Sequence, residues 1–131
     1  MNRDATGAGS RSALLLAGLL ATTGATHFAT PEPYDQIIPP ALPGPPRAWT
    51  YASGVVELAT AAAVAAPRTR RVGALAAAGL FVAVFPANVQ MAWDWRHRRL
   101  PYRVVAFARL PLQVPLVWWA VRTANRERRS P

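Results

Sequence analysis

Six polar side chains stand in stretches that are otherwise apolar: His27, Ser53, Glu57, Asn88, Arg109 and Gln113. Glu57 and Arg109 are strongly ionic and of opposite sign. A charge in the middle of an apolar helix costs roughly 2.5–3.5 kcal/mol to place in lipid, so such groups turn inward, toward one another or toward water. A carboxylate, a guanidinium, an imidazole and two amides could do one of three things. They could form a structural polar core that sets the register of the helices. They could line a small-molecule pocket, where a neutralised ion pair beside an amide and an imidazole suits a carbonyl-bearing, lipid-soluble molecule such as a quinone. They could also handle protons. Pairing offsets part of the desolvation each charge faces alone, so Glu57 and Arg109 are expected to approach each other, directly or through water.

Other chemistries are excluded by composition. The chain has no Cys, which removes disulfides, thiol relays, Cys-ligated zinc and iron–sulfur clusters. His27 and His97 are the only histidines and cannot hold a metal by themselves. No haem ligand pair or flavin motif is visible, and no residue is assigned a catalytic role.

The elements that must position these groups are four apolar blocks in a chain of 131 residues, enough for one domain. The blocks cover about 12–30, 49–66, 72–93 and 104–121. Spanning the hydrocarbon needs about 20 residues, and each block is apolar round most of its circumference, unlike a soluble amphipathic helix. The expected fold is all-α, a four-transmembrane-helix bundle over 12–122 with a tail at 1–11 and a basic tail at 123–131. The first block also has the form of a signal peptide, with cleavage near Ala25 as the alternative. Residues 31–48 hold seven of the thirteen prolines, so no helix is expected there. Its Tyr34, Ile37, Ile38 and Leu42 are too apolar for a solvated linker, so the loop is expected to fold back as a lid. Small residues at spacing four (Ala59/Ala63, Ala74/Ala78, Gly79/Ala83/Ala87) suit close helix packing in lipid.

All fifteen basic residues are Arg, against six acids, for a formal net charge of +9. The arginines cluster at block ends, as topology signals do, rather than along a soluble element, so no nucleic-acid partner is expected. With both termini cytoplasmic, the inner side carries Arg3, Arg11, Arg68, Arg70, Arg71, Arg122, Arg126, Arg128 and Arg129. The outer side carries Arg47, Arg96, Arg98, Arg99 and Arg103. That balance favours both termini inside and loop 31–48 outside. At about 1.5 Å per residue, Glu57 then lies roughly 12 Å below the outer boundary, Arg109 roughly 9 Å, Asn88 roughly 8 Å and His27 roughly 5 Å. Gln113 is one turn deeper than Arg109. All four spans place a polar group in the same half. Proline 86, 111 and 115 free backbone carbonyls at Val82, Phe107 and Pro111, which need new partners.

In these residues the sequence resembles the DoxX-like family of small bacterial membrane proteins. The matching stretches are GATHF (24–28), PEPYDQIIPPALPGP (31–45), YASGVVE (51–57), PRTRR (67–71), FPANVQMA (85–92) and RLPLQ (109–113). The resemblance runs over about 13–122. It implies a four-helix bundle in the bacterial cytoplasmic membrane, with His27, Glu57, Asn88, Arg109 and Gln113 at the family's polar positions. Some members are subunits of quinone-linked oxidoreductases, including thiosulfate:quinone oxidoreductase. Others associate with redox-defence proteins, and distant relatives assist membrane-protein assembly. The expected role is therefore an accessory membrane subunit of a quinone-linked redox or redox-defence system, partnered by the lipid bilayer and by a redox enzyme subunit or a second copy of the chain. The alternative is a non-catalytic anchor or assembly factor with a structural polar core. A transporter is disfavoured by the lack of an inverted repeat.

Overall fold

The computed structural model describes the backbone of residues 3–129 and the side chains of residues 7–129. Arg3, counted above among the inner charges, thus has its side chain outside the described residues. Six helices follow one another: α1 (Arg3–Ala29), α2 (Glu32–Asp35), α3 (Pro46–Ala65), α4 (Arg70–Ala83), α5 (Phe85–Asp94) and α6 (Leu100–Arg129). There is no strand among the described residues.

Ala and Leu dominate the blocks and favour helix, and proline sets most of the ends. α1 stops before Pro31, and α3 opens with Pro46 in its first turn, where a missing N–H costs nothing. The Pro-dense segment was expected to hold no helix, yet it holds one turn, α2. Pro31 caps that turn and a proline occupies its start, so neither has to donate a hydrogen bond. The third block was expected to run unbroken over 72–93. Instead α4 ends at Ala83 and α5 restarts at Phe85, with Pro86 in its first turn. The described parts of the expected polar tails are helical, since α1 reaches back to Arg3 and α6 on to Arg129.

Among the described residues, three stretches are long and apolar enough to cross a membrane: Gly7–Ala29, Arg70–Asp94 and Leu100–Arg129. α3, with Arg47, Thr50, Ser53, Glu57 and Thr60 among its 20 residues, is not one of them. The outer faces are apolar to a degree that water does not favour. Leu15, Val72, Trp93 and Val114 are each more than 60% exposed, and contiguous surfaces of this kind belong against lipid or another apolar partner.

α1 packs along α3, α3 along α4, and α4 and α5 along α6, while α1 meets α6 more thinly. Trp119 Nε1 donates to Ser12 Oγ at 2.8 Å, which puts the start of α1 beside the far part of α6. The first part of α1 and the last part of α6 therefore lie at one end of the described molecule. At that end Ala13, Leu16, Leu20, Ala61, Val64, Ala77, Phe81 and Ala120 form the main core. The small residues that permit this packing are only partly those expected. Ala74 and Ala78 are buried, but Ala59, Gly79 and Ala83 are exposed. The closest approaches are at Gly54 and Gly73. A Cβ on Gly73 would stand 2.6 Å from the Ala63 and Val64 backbone, and one on Gly54 2.6 Å from the Phe28 ring and 2.9 Å from His27 Cβ.

Candidate functional site

At the other end the same helices enclose a cavity of about 460 Å³. His27, Ser53, Glu57, Asn88, Arg109 and Gln113 all line it, joined by Thr23, Tyr34, Ile37, Ile38 and Thr50. Its size falls within the range of small-molecule sites.

The α1 and α3 side is tightly wired. Thr23 and His27 share a face one turn apart. The Thr23 hydroxyl donates to Glu57 Oε2 at 2.7 Å, and His27 Nδ1 stands 2.7 Å from the Thr23 carbonyl oxygen. A carbonyl can only accept, so Nδ1 carries a proton, and in the neutral form of the ring Nε2 is left as an acceptor. His27 Nδ1 and Glu57 Oε2 lie 3.8 Å apart, and His27 is 7% exposed.

The α5 and α6 side is different. Asn88 sits one turn beyond the break at Val84 and is 3% exposed, yet no side-chain hydrogen bond to another described residue engages it. Its backbone N–H reaches the Val84 carbonyl at 3.0 Å, which continues the helix past the break. Arg109 likewise has no ion-pair or hydrogen-bond partner among the described residues. The expected approach of Glu57 and Arg109 is therefore corrected in part. Both line one cavity, but they make no direct ion pair, because Thr23 and His27 on the neighbouring helix take the carboxylate first. Gln113, 7% exposed, donates from Nε2 to the Phe81 carbonyl at 2.7 Å. A freed carbonyl near Pro86 does recruit a side chain, but it is Phe81's rather than Val82's.

The Pro-rich segment closes this end. The Tyr34 ring stacks on His27 with centroids 3.8 Å apart, and its hydroxyl shares a hydrogen bond with Thr26 Oγ1 at 2.5 Å. Asp35 ties the segment to α3, accepting from Thr50 Oγ1 at 2.6 Å and from Arg47 Nε at 2.8 Å. The Thr50 hydroxyl first, and then the Arg47 guanidinium, hold the Asp35 carboxyl below the usual carboxylate range, although partial desolvation opposes them. Trp49 Nε1 donates to the Pro43 carbonyl at 2.7 Å, and Gly44 turns the chain at φ +82°, a conformation glycine adopts without strain.

Sequence reasoning missed the parts these contacts depend on. Thr23, Asp35 and Thr50 have no chemical role in the sequence reading. No spacing rule links positions fifteen residues apart through a Pro-rich turn. Arg70 read as a topology charge, but it is 6% exposed and donates to the Val64 and Ala65 carbonyls at 3.0 Å each, capping α3 from the start of α4.

No curated protein and no solved structure matches the chain. A family model described as "Domain of unknown function (DUF8561)" matches residues 16–124. Every residue that lines the cavity, from Leu19 to Leu116, lies within that match, and the chain belongs to the DUF8561 family.

Proposed function

We propose that this chain is a four-span protein of the bacterial cytoplasmic membrane, with α1, α3, the broken α4–α5 pair and α6 as spans and both termini cytoplasmic. Its cavity takes a carbonyl-bearing, lipid-soluble ring molecule of the quinone class. The chain serves as an accessory membrane subunit of a quinone-linked redox or redox-defence system, in the manner its resemblance to DoxX-like proteins implies. The observation that carries this reading is the gathering of His27, Ser53, Glu57, Asn88, Arg109 and Gln113 around one cavity in an otherwise apolar molecule. Two of those groups, Asn88 and Arg109, have no protein partner among the described residues. Their polar atoms are not sealed off in protein but open onto the cavity, where a ligand can engage them.

The test is purification of the full chain from membranes in mild detergent, followed by mass spectrometry of extracted lipids and titration with a short-chain ubiquinone. Co-purifying quinone and saturable binding that Arg109→Gln weakens support the reading. A folded chain that neither carries nor binds quinone overturns it. Topology is tested separately. A reporter fused after Pro131 should be active only in the cytoplasm, and activity only outside the cell would overturn the orientation.

A second reading is a non-catalytic anchor or assembly factor. It is favoured by the internal satisfaction of Glu57, His27 and Gln113. Under it, replacing Asn88 and Arg109 together by well-packed apolar residues keeps both folding and cellular function.

A further inference from the structure

The cavity has two walls of opposite hydrogen-bonding character. On the α1 and α3 wall, His27 Nδ1 is committed to the Thr23 carbonyl and the Thr23 hydroxyl to Glu57 Oε2. What this wall still offers a ligand is acceptors: the second carboxylate oxygen of Glu57 and, in the neutral form of the imidazole, His27 Nε2. On the α5 and α6 wall stands the guanidinium of Arg109, with five donors and no acceptor, engaged by no other described residue; the Asn88 and Gln113 amides beside it each carry an acceptor as well as a donor and do not discriminate. Ser53 can turn its hydroxyl proton either way and does not discriminate.

A molecule that only accepts, such as a quinone with its two carbonyls, satisfies the Arg109 wall. It sets its other oxygen against lone pairs at His27 and Glu57. A molecule that donates at one end and accepts at the other satisfies both walls. We infer that this site prefers the hydroxyl-bearing, reduced form of its ring ligand, a hydroquinone, with one hydroxyl donated to His27 or Glu57 and the opposite oxygen accepting from Arg109 and Asn88. The inference rests on the quinone-class reading proposed above and adds the redox form and its orientation. His27 and Glu57 are then specificity-determining residues, and Thr23 is a positioning residue that sets the imidazole tautomer.

An acceptor facing an acceptor forfeits a buried hydrogen bond, so the hydroquinone should bind roughly tenfold tighter or more. The test is anaerobic titration of the full chain, in detergent at mildly alkaline pH, with a short-chain ubiquinone and with its hydroquinone. The bound couple supplies a second readout, because a tenfold preference for the reduced form raises its two-electron midpoint by about 30 mV. Glu57→Gln puts an amide donor on the acceptor wall and should shrink the preference without abolishing quinone binding. His27→Phe should do the same. Equal affinity for the two forms, or tighter quinone binding, in the unaltered chain overturns this inference and leaves the quinone-class reading standing. Binding of neither form by the folded chain overturns both. Should either variant fail to fold, the ratio and midpoint shift of the unaltered chain still decide.

Discussion

The two ends of this molecule are built from the same four stretches of chain and solve opposite problems. At the end that holds the first part of α1 and the last part of α6, Leu16, Leu20, Val64, Ala77 and Ala120 are all but fully buried, and Gly73 lets α4 start against the α3 backbone. At the other end α1 and α3 still approach closely at Gly24 and Gly54, but beside them a hollow remains, lined by polar and apolar side chains and roofed by the Pro-rich segment. The difference lies in side-chain size and in breaks. Alanine and glycine at the contacts bring helix axes close. The interruption at Val84 frees the Phe81 carbonyl, which Gln113 takes up beside the hollow. The tightly packed end holds the helices together while the other end stays hollow, which is how a small protein keeps an open site without losing its fold.

The largest effect that would test this contrast is a matched truncation. Leu16→Ala in the packed end should cost ~2–5 kcal/mol, since it leaves a cavity that neighbours cannot fill. Leu112→Ala, at a cavity-lining residue that is 53% exposed, should cost far less and enlarge the hollow. Thermal unfolding in detergent measures both, and equal losses would erase the distinction between the ends.

Next is Arg70. Arg70→Met keeps the stem but removes two charge-assisted hydrogen bonds to the end of α3 and the 3.7 Å ion pair with Glu127. The expected loss is about 1.5–3 kcal/mol, and Arg70→Lys should recover only part of it because one ammonium cannot reproduce the fork. Full recovery by lysine would mean that charge alone matters there.

A smaller effect separates the two walls of the hollow. Glu57→Gln and Arg109→Gln make no direct contact, so their effects on stability should add within about 0.5 kcal/mol. Thr23→Val and Glu57→Gln share a hydrogen bond and should couple by more than that. Strong coupling between Glu57 and Arg109 would restore the pair that the sequence suggests, bridged by water.

The smallest effect concerns the roof. The Asp35 carboxyl, held low by Thr50 and Arg47, contributes stability that is fully present above its ordinary unfolded range and is lost as pH falls through the lower folded value. Protease cutting within 36–43 should therefore accelerate only below the usual carboxylate range. Asp35→Asn should cut faster at neutral pH and lose that dependence. A pH response that persists in Asp35→Asn would assign the roof's latch to another group.

The residues of the hollow were legible because polar side chains in apolar helices are costly and stand out one by one. Helix rise alone placed Glu57, Asn88 and Arg109 at similar depth, and all six candidates do line one cavity. Pairing was not legible. Depth along a helix follows from counting, whereas rotation about the axis and the choice of partner depend on which neighbour lies closest. Gly24 and Gly54 bring α1 against α3, which hands Glu57 to Thr23 and His27 instead of Arg109.

By itself, then, the sequence determined the all-helical class, the apolar stretches and the set of polar residues that must turn inward, because hydropathy, helix propensity and the missing N–H of proline act locally. The tertiary structure alone decided the break at Val84, the turn of helix inside the Pro-rich roof, the capping role of Arg70 and the partners that Glu57 and His27 take. These depend on contacts between residues far apart in the chain, and such contacts are set by how closely helices can approach rather than by any one residue's preference.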